Sequence, residues 1–536
     1  MSGNKMLKGA AIIGIAGVIV KIMGAFFRIP LTNWLGAGGI AYYSFAYTIY
    51  AALVVLATAG FPVAISRLVS ENIARNQYKN AHRVFNVSMG MMAAIGLVLF
   101  AICYFGAGFI VGTLMKNPGA TLAVKAIAPA LLFVPLLSAM RGYFQGRQNM
   151  NPTAISEIGE QAARVIIGLY LASSFLSTGE ERAAAGASFG ATVGSVFGLG
   201  VMILIYMLNR NVIMYKIQRY DQTAEEVSRI VKQILLIAVP VIIGAEIMPI
   251  MNLVDTSIVM RRLQATGWTL DEAKYLYGLI SGYCSTLIGF PQIFTQAVAI
   301  SLVPAIARAT ALQDREGIIE NTALGYRLTM VMALPCAAGI LALAKPILFL
   351  LYPTKLDEAA DAAPTLMLCT LGLIALAISQ TSTGVLQAIG KQNLPVMHLA
   401  AGTAVKMVTS FILVGIPVLN IKGAALGTIA AYVVSFVLNN ISARKYTGIR
   451  FNYIQIYGKP GLASLIMGVV VFVVHLGLDK VIGGRIATVA SVMVGVIIYA
   501  LLFVALRIVT PEELETVSIG RKMNRIIRKI PGLRWE

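Results

Sequence analysis

Charge is what this 536-residue chain has least of: Asp, Glu, Lys and Arg together make up 12% of it, where a soluble domain carries about a quarter. Apolar residues make up 58%, and the mean hydropathy is +0.80. A soluble globular protein is excluded. Cysteine is equally scarce. The four present (Cys103, Cys284, Cys336 and Cys369) fall inside apolar runs without a CxxC pair, which argues against a disulfide framework and a zinc site. The three histidines, His82, His398 and His475, lie far apart and form no HExxH, so metalloprotease chemistry has no support. Gly384 to Gly390-Lys391 is spaced one residue too long for a phosphate-binding loop and is followed by Gln392, where a magnesium-holding Ser or Thr would stand. Gly36, Gly38 and Gly39 read as a turn, because no strand precedes them as a dinucleotide fingerprint requires. No loop exceeds about 25 residues, too short for a core of its own. A membrane glycosyltransferase or polymerase is therefore disfavoured, and no catalytic residue, cofactor or metal is expected.

What the chain has in abundance is apolar runs of roughly 20 residues, the length at which a helix crosses the hydrocarbon layer. They are apolar on all sides, unlike the alternating strands of a membrane barrel. The expected fold is an all-α polytopic membrane protein with 14 transmembrane helices. The spans fall near residues 9–32, 40–66, 84–112, 120–140, 152–177, 184–208, 230–260, 275–304, 318–343, 362–389, 394–416, 422–442, 460–477 and 484–506. With a cytoplasmic N-terminus, roughly 27 of the 43 Lys and Arg fall on the cytoplasmic side and roughly 10 on the other, which predicts both termini in the cytoplasm. Lys5 and Lys8 before a long first run, with no small-residue cleavage site, read as a retained signal anchor. The net charge of +20 is scattered over short loops, unlike a nucleic-acid footprint. The tail bearing Arg521, Lys522, Arg525, Arg528 and Lys529 among isoleucines suits an anionic leaflet.

The two halves repeat. At an offset of 235, Val63-Ala64-Ile65-Ser66 recurs as Val298-Ala299-Ile300-Ser301, Asn86 and Gly90 as Asn321 and Gly325, and Ala128-Pro129 as Ala363-Pro364. Gly186-Ala187-x-x-Gly190 recurs as Gly423-Ala424-x-x-Gly427, and Gly146-Arg147-Gln148-Asn149 as Gly390-Lys391-Gln392-Asn393. A six-helix unit duplicated in tandem predicts an N-lobe over 1–220 and a C-lobe over 221–450. An even helix count keeps both copies in one orientation, an arrangement suited to rocking around a site between lobes. Spans 13 and 14 (451–510) and a basic amphipathic cytoplasmic tail (511–536) stand outside the repeat.

Ionisable residues inside spans carry the functional signal, since each costs about 2.5–3.5 kcal/mol at a helix centre unless it faces a wet or paired interior. Glu157, Glu160, Gln161 and Arg164 fall on one face of span 5. Lys406 in span 11 lies at an offset of 242 from Arg164, so each half offers a cation. Span 1 adds Lys21 and Arg28. Span 7 adds Glu246, Asn252 and Asp255 beside Pro240 and Pro249, prolines able to break the helix and expose carbonyls. Two readings stand side by side: the charges pair internally, as Glu160 and Arg164 can at i, i+4, or the cations of spans 1, 5 and 11 line a cavity for an anionic head group. Snorkelling is a further reading for Arg28. The Gly186, Gly190, Gly194 and Gly198 ridge predicts a close helix contact. Tyr43, Tyr47 and Tyr50 form a stripe read as an interfacial belt in preference to a sugar-stacking wall. Arg261 and Arg262 violate the charge rule.

Three segments carry a family resemblance: Lys21-x-x-Gly24-x-x-x-Arg28, Gly60-Phe61-Pro62-Val63-Ala64-Ile65-Ser66, and Arg141-Gly142-Tyr143-Phe144-Gln145-Gly146-Arg147-Gln148-Asn149-Met150-Asn151-Pro152. With them the chain resembles the polysaccharide-exporter branch of the MOP superfamily (a MATE-like fold), nearest the stage V sporulation protein B and YtgP type, relatives of the MurJ lipid II flippases. The resemblance covers nearly the whole chain. It implies a flippase of the bacterial cytoplasmic membrane. Such a protein moves an undecaprenyl-pyrophosphate-linked cell-wall precursor from the inner to the outer leaflet by alternating access. It also implies that Arg28 lines the central cavity and that spans 13 and 14 form a lipid groove; Ile29 stands where the family pattern has an acidic residue. The expected partners are a lipid-linked oligosaccharide and membrane lipids. The expected substrate contacts are Arg28, Arg164, Lys406, Lys21, Glu157, Glu160 and Gln161. Glu246, Asn252 and Asp255 are candidates for a coupling Na+ or H+. The rival reading is a multidrug or cation antiporter of the same fold.

Overall fold

A computed structural model describes residues 2–219, 225–449 and 451–508. The basic tail named above lies outside them. Among the described residues there are helices and no strands, as a chain surrounded by hydrocarbon requires when each segment must satisfy its own backbone. In chain order the first helices are α1 (Ser2–Thr58), α2 (Phe61–Ala74), α3 (Tyr78–Phe109), α4 (Thr121–Ile127), α5 (Ala130–Gly146), α6 (Asn151–Ser174), α7 (Glu180–Arg219), α8 (Val227–Ala265) and α9 (Leu270–Gly278). They are followed by α10 (Ser285–Ala311), α11 (Arg315–Ala342), α12 (Ala344–Leu351), α13 (Leu356–Ala388), α14 (Asn393–Val414), α15 (Ile421–Thr447), α16 (Lys459–Val481) and α17 (Gly484–Ala505).

Twelve helical segments among the described residues are long and apolar enough to span a membrane. One of them, Ile12–Ala74, contains two expected spans. The Asn151–Ser174 helix, whose polar face lowers its hydropathy, is not among them. Both features are compatible with fourteen crossings. Phe105 is 78% exposed and Leu208 75%, a cost in water that disappears against lipid. The protein is a multi-pass membrane protein.

Four local features depart from a simple row of rods. Gly36 breaks α1 with φ 65° and ψ −174°, a left-handed conformation open to glycine and costly for a side chain. Span 4 is split at Ala128-Pro129 into α4 and α5. The expected loop after span 9 contains the short helix α12. Span 7 remains one helix, α8, through both Pro240 and Pro249; the break these prolines are able to make does not occur.

The chain divides into two compact units, Met1–Thr286 with Thr403–Gly427, and Leu287–Gly402 with Thr428–Glu536. The first is built around Phe27, Leu31, Phe45, Ile49, Leu99 and Ile127, with a second cluster around Phe61, Phe85, Tyr143 and Ile234. The second unit centres on Leu302, Tyr326, Met330, Ile378 and Phe451. Between helices in lipid the attraction comes from close van der Waals packing, and small residues permit it. The glycine ridge of α7 does this in the first unit. A Cβ at Gly186 would lie 2.9 Å from the Leu171 carbonyl carbon, and one at Gly190 would lie 2.7 Å from the Arg164 carbonyl oxygen. One at Gly194 would lie 2.7 Å from the Glu160 carbonyl oxygen. The repeated pair behaves alike: Gly423 abuts the Leu413–Val414 backbone and Gly427 abuts Ser410. In each copy the Gly-Ala-x-x-Gly motif seats a helix on the one before it.

Candidate functional site

Helix α6 carries Glu157, Glu160, Gln161 and Arg164 within the first unit, with Glu160 and Arg164 against the α7 glycines Gly198 and Gly194. The i, i+4 ion pair between Glu160 and Arg164 does not form. Arg141 on α5 takes the carboxylate instead: its Nη2 lies 2.7 Å from Glu160 Oε2 and its Nε donates to Ser156 Oγ at 2.9 Å. Both side chains are largely withdrawn from solvent, 17% and 25% exposed, so the carboxylate is neutralised where the surroundings screen poorly. Arg141 opens the Arg141–Pro152 motif. It falls one residue past the expected span 120–140, and only the structure, in which α5 runs on to Gly146, brings it into a span, where a charge needs a partner.

Arg164 is thereby left to neutral partners. Its Nη2 donates to the Tyr43 hydroxyl at 2.8 Å, and its guanidinium carbon stands 4.8 Å from the Tyr47 ring centre, a cation–π arrangement. Its Nε has no hydrogen-bond partner, and no carboxylate lies within 4.0 Å of it, among the described residues. The aromatic stripe is a ladder: Phe27 and Tyr43 rings are 5.7 Å apart, Tyr43 and Tyr47 6.0 Å, Tyr47 and Tyr50 6.1 Å. Tyr43 is 2% exposed and Tyr50 7%. An interfacial belt would face lipid head groups, so that expectation is corrected: the stripe is an interior wall carrying an arginine.

Arg28 reaches the same wall. Its Nη1 donates to the Ser281 carbonyl at 3.0 Å, in a π-helical turn Leu279–Cys284. A carbonyl accepts the proton and leaves the positive charge in place. Tyr47 lies within electrostatic reach of both Arg164 and Arg28. Gln161 faces Gly24, one helical turn before Arg28: its Nε2 is 3.6 Å from where a Cβ of Gly24 would be. Lys21, a turn earlier, is exposed, and Glu157 is half-buried.

Lys406 behaves differently. Its Nζ lies 2.9 Å from Asp255 Oδ2, both side chains 14% exposed. Beside this pair, Tyr277 shares a hydrogen bond of 3.2 Å with Thr256. The expected cation of the second repeat and the expected ion-binding carboxylate are therefore each other's partners. Of the other two coupling candidates, Glu246 is 6% exposed with Oε2 unpartnered among the described residues, whereas Asn252 is exposed. Among the described residues no group of three or more His, Cys, Asp or Glu could hold a metal.

Arg261 and Arg262, unaccounted for by charge topology, close helix ends. Arg261 donates from Nε to the Leu114 carbonyl and from Nη2 to the Thr113 carbonyl, each at 2.8 Å. Arg262 Nε donates to the Phe411 carbonyl at 3.0 Å, with its guanidinium 4.3 Å from the Phe411 ring centre. Cations at C-terminal carbonyls satisfy acceptors that have no partner within the helix and face the negative end of its dipole.

Among the described residues Arg28 and Arg164 have no carboxylate within 4.0 Å, whereas Lys406 is paired with Asp255. Unneutralised guanidinium groups in a poorly screened environment attract phosphate or pyrophosphate oxygens, which they bind in bidentate fashion.

Known proteins share this sequence and architecture. Residues 6–310 match the family described as polysaccharide biosynthesis protein, and residues 281–412 match the MatE family. The lipid II flippase MurJ of Bacillus subtilis (strain 168) is 25% identical over 88% of this chain and 89% of its own length. Stage V sporulation protein B of the same organism is 25% identical over 98% and 100%. The uncharacterized membrane protein YabM, also from that organism, is 28% identical over 97% and 96%. Among solved structures, the lipid II flippase MurJ in an inward closed conformation superposes with a TM-score of 0.67 at 17% identity, covering 92% of this chain and 98% of that one. A multidrug resistance MATE family transporter of the MOP superfamily, facing inward, superposes with a TM-score of 0.68 at 13% identity, covering 83% and 98%. The chain shares the fold of these transporters, and the family match over more than half its length makes it a member of the polysaccharide biosynthesis protein family.

Proposed function

We propose that this protein is a flippase. Its cargo is an undecaprenyl-pyrophosphate-linked, lipid II-like cell-wall precursor, carried from the inner to the outer leaflet of the bacterial cytoplasmic membrane by alternating access, with both protein termini in the cytoplasm. The observation that carries the reading is Arg28 and Arg164, two cations of the first unit with no carboxylate within 4.0 Å among the described residues. The physical logic is partition. A charged head group cannot cross hydrocarbon unaided, while its polyprenyl tail never has to leave it.

In this reading Arg28 and Arg164 hold the pyrophosphate, Tyr47 offers a ring face to sugar, and Gln161, Glu157 and Lys21 add polar contacts. Glu160 serves indirectly, by staying on Arg141. Helices α16 and α17 accompany the tail of the lipid. The reaction is transport, with no covalent step. Depletion of the protein in its host, followed by measurement of which lipid-linked intermediate accumulates and on which leaflet, tests the reading. Accumulation on the inner leaflet is expected; unchanged intermediates would overturn it.

A second reading, a cation- or proton-coupled antiporter, draws on the buried carboxylate Glu246 and the Lys406–Asp255 pair. Drug resistance on expression, without accumulation of precursor on depletion, would favour it. Within the flippase reading the same pair suggests coupling: a proton or Na+ on Asp255 would release the Lys406 charge for the cargo.

A further inference from the structure

The second unit holds a cavity of about 440 Å³, within the size range of small-ligand sites. Three elements build it. Helix α12 contributes Lys345 and Phe349, the end of α16 contributes His475 and Asp479, and the first turns of α17 contribute Arg485 and Thr488. The floor is polar yet buried: His475 is 9% exposed and Thr488 2%. The rim carries the charge, because Lys345 and Arg485 are exposed and neither has a carboxylate within 4.0 Å among the described residues. Lys345 stands 5.3 Å from the Phe349 ring centre. Asp479, the acidic residue of the lining, is turned to the backbone: its Oδ1 accepts from the Gly484 amide at 2.8 Å. That bond closes a turn whose glycines, Gly483 and Gly484, have φ of 73° and 46°. The amino end of α17 adds the positive end of a helix dipole.

We propose that this cavity binds the phosphate of an anionic membrane lipid. Two cations at the rim, donors on the floor and an aromatic wall suit one phosphate oxygen cluster with its first methylenes. A lipid is favoured over free phosphate because the flanks are exposed and apolar, with Val481 85%, Ile486 66% and Leu476 51% exposed. Those faces offer acyl chains a path along α16 and α17. On the expected topology this end of both helices lies in the outer leaflet. The site is built from residues other than Arg28 and Arg164 and does not require the proposed cargo.

Native mass spectrometry of the purified full chain in detergent, with phosphatidylglycerol or phosphatidylcholine added, tests the proposal. Wild type should retain phosphatidylglycerol in clear excess. The double variant Lys345→Gln, Arg485→Gln should retain it roughly tenfold less, because each substitution takes one positive charge from the rim. Each single variant at these exposed positions should fall between, which keeps a readout should the double variant fold poorly. Equal retention of the two lipids, or undiminished phosphatidylglycerol on the variants, would overturn the site. Displacement of the lipid by inorganic phosphate as readily as by fresh phosphatidylglycerol would overturn its assignment to a lipid.

Discussion

Arg141 and Glu160, 2.7 Å apart on neighbouring helices, decide which partners are left to a third residue, Arg164. Glu160 sits one turn from Arg164 on α6 and in an isolated helix would pair with it. Because Arg141 holds the carboxylate, the Arg164 guanidinium rests on phenol and ring face.

It follows that Arg141→Ala should damage transport by releasing Glu160 to neutralise Arg164. The lost pair should also cost roughly 1–3 kcal/mol of stability, between surface and buried values. Adding Glu160→Gln should recover transport by removing the released charge. Growth complementation of a depleted strain at matched protein level measures this. A double variant no better than Arg141→Ala would refute the linkage.

Arg28→Ala should abolish complementation with normal protein level, whereas Arg28→Lys should retain part of it, since charge survives and the bidentate fork does not. Membrane fractions probed for protein amount separate function from folding. Full growth of the alanine variant would remove Arg28 from the site.

For the pair Lys406 and Asp255, breaking one side should be worse than removing both. Lys406→Ala leaves a largely buried carboxylate uncompensated, a loss of about 3–5 kcal/mol at the buried limit. Lys406→Ala with Asp255→Asn should unfold closer to the wild-type temperature. Thermal unfolding in detergent reads the difference; equal losses would show that the pair contributes little.

Gly278→Ala should destabilise the first unit by about 1–3 kcal/mol, the range for overpacking. A methyl there collides with the Ala37 backbone carbonyl beside the Gly36 break, and backbone cannot rotate away as a side chain can. Gly289→Ala, inside α10 and meeting nothing within 4 Å, is the control and should unfold at or slightly above the wild-type temperature in the same detergent assay.

Much of the membrane architecture is legible from composition alone, because hydrocarbon imposes one rule on every segment: satisfy the backbone locally and bury charge. The α7 ridge is legible for a related reason. Glycine at every fourth position puts a smooth stripe along one helix, and a neighbour fills it whatever its identity. Arg261 and Arg262 show where such reading stops, since their partners are the carbonyls of Leu114, Thr113 and Phe411, about 150 residues away by the chain. The tyrosine stripe shows it again. Periodicity aligned Tyr43, Tyr47 and Tyr50, yet a helical stripe carries no sign saying whether lipid or protein covers it.

The sequence by itself determined that the chain lives in a bilayer as helices, that its halves repeat, and which few ionisable side chains stand at a cost within the spans. Only the tertiary structure decided which of those charges are paired: Glu160 went to Arg141, Asp255 went to Lys406, and among the described residues Arg28 and Arg164 met no carboxylate within 4.0 Å. The reason is that electrostatic pairing depends on separation in space, falling with distance and deepening with burial, while spacing along one helix names only the partners available before its neighbours arrive.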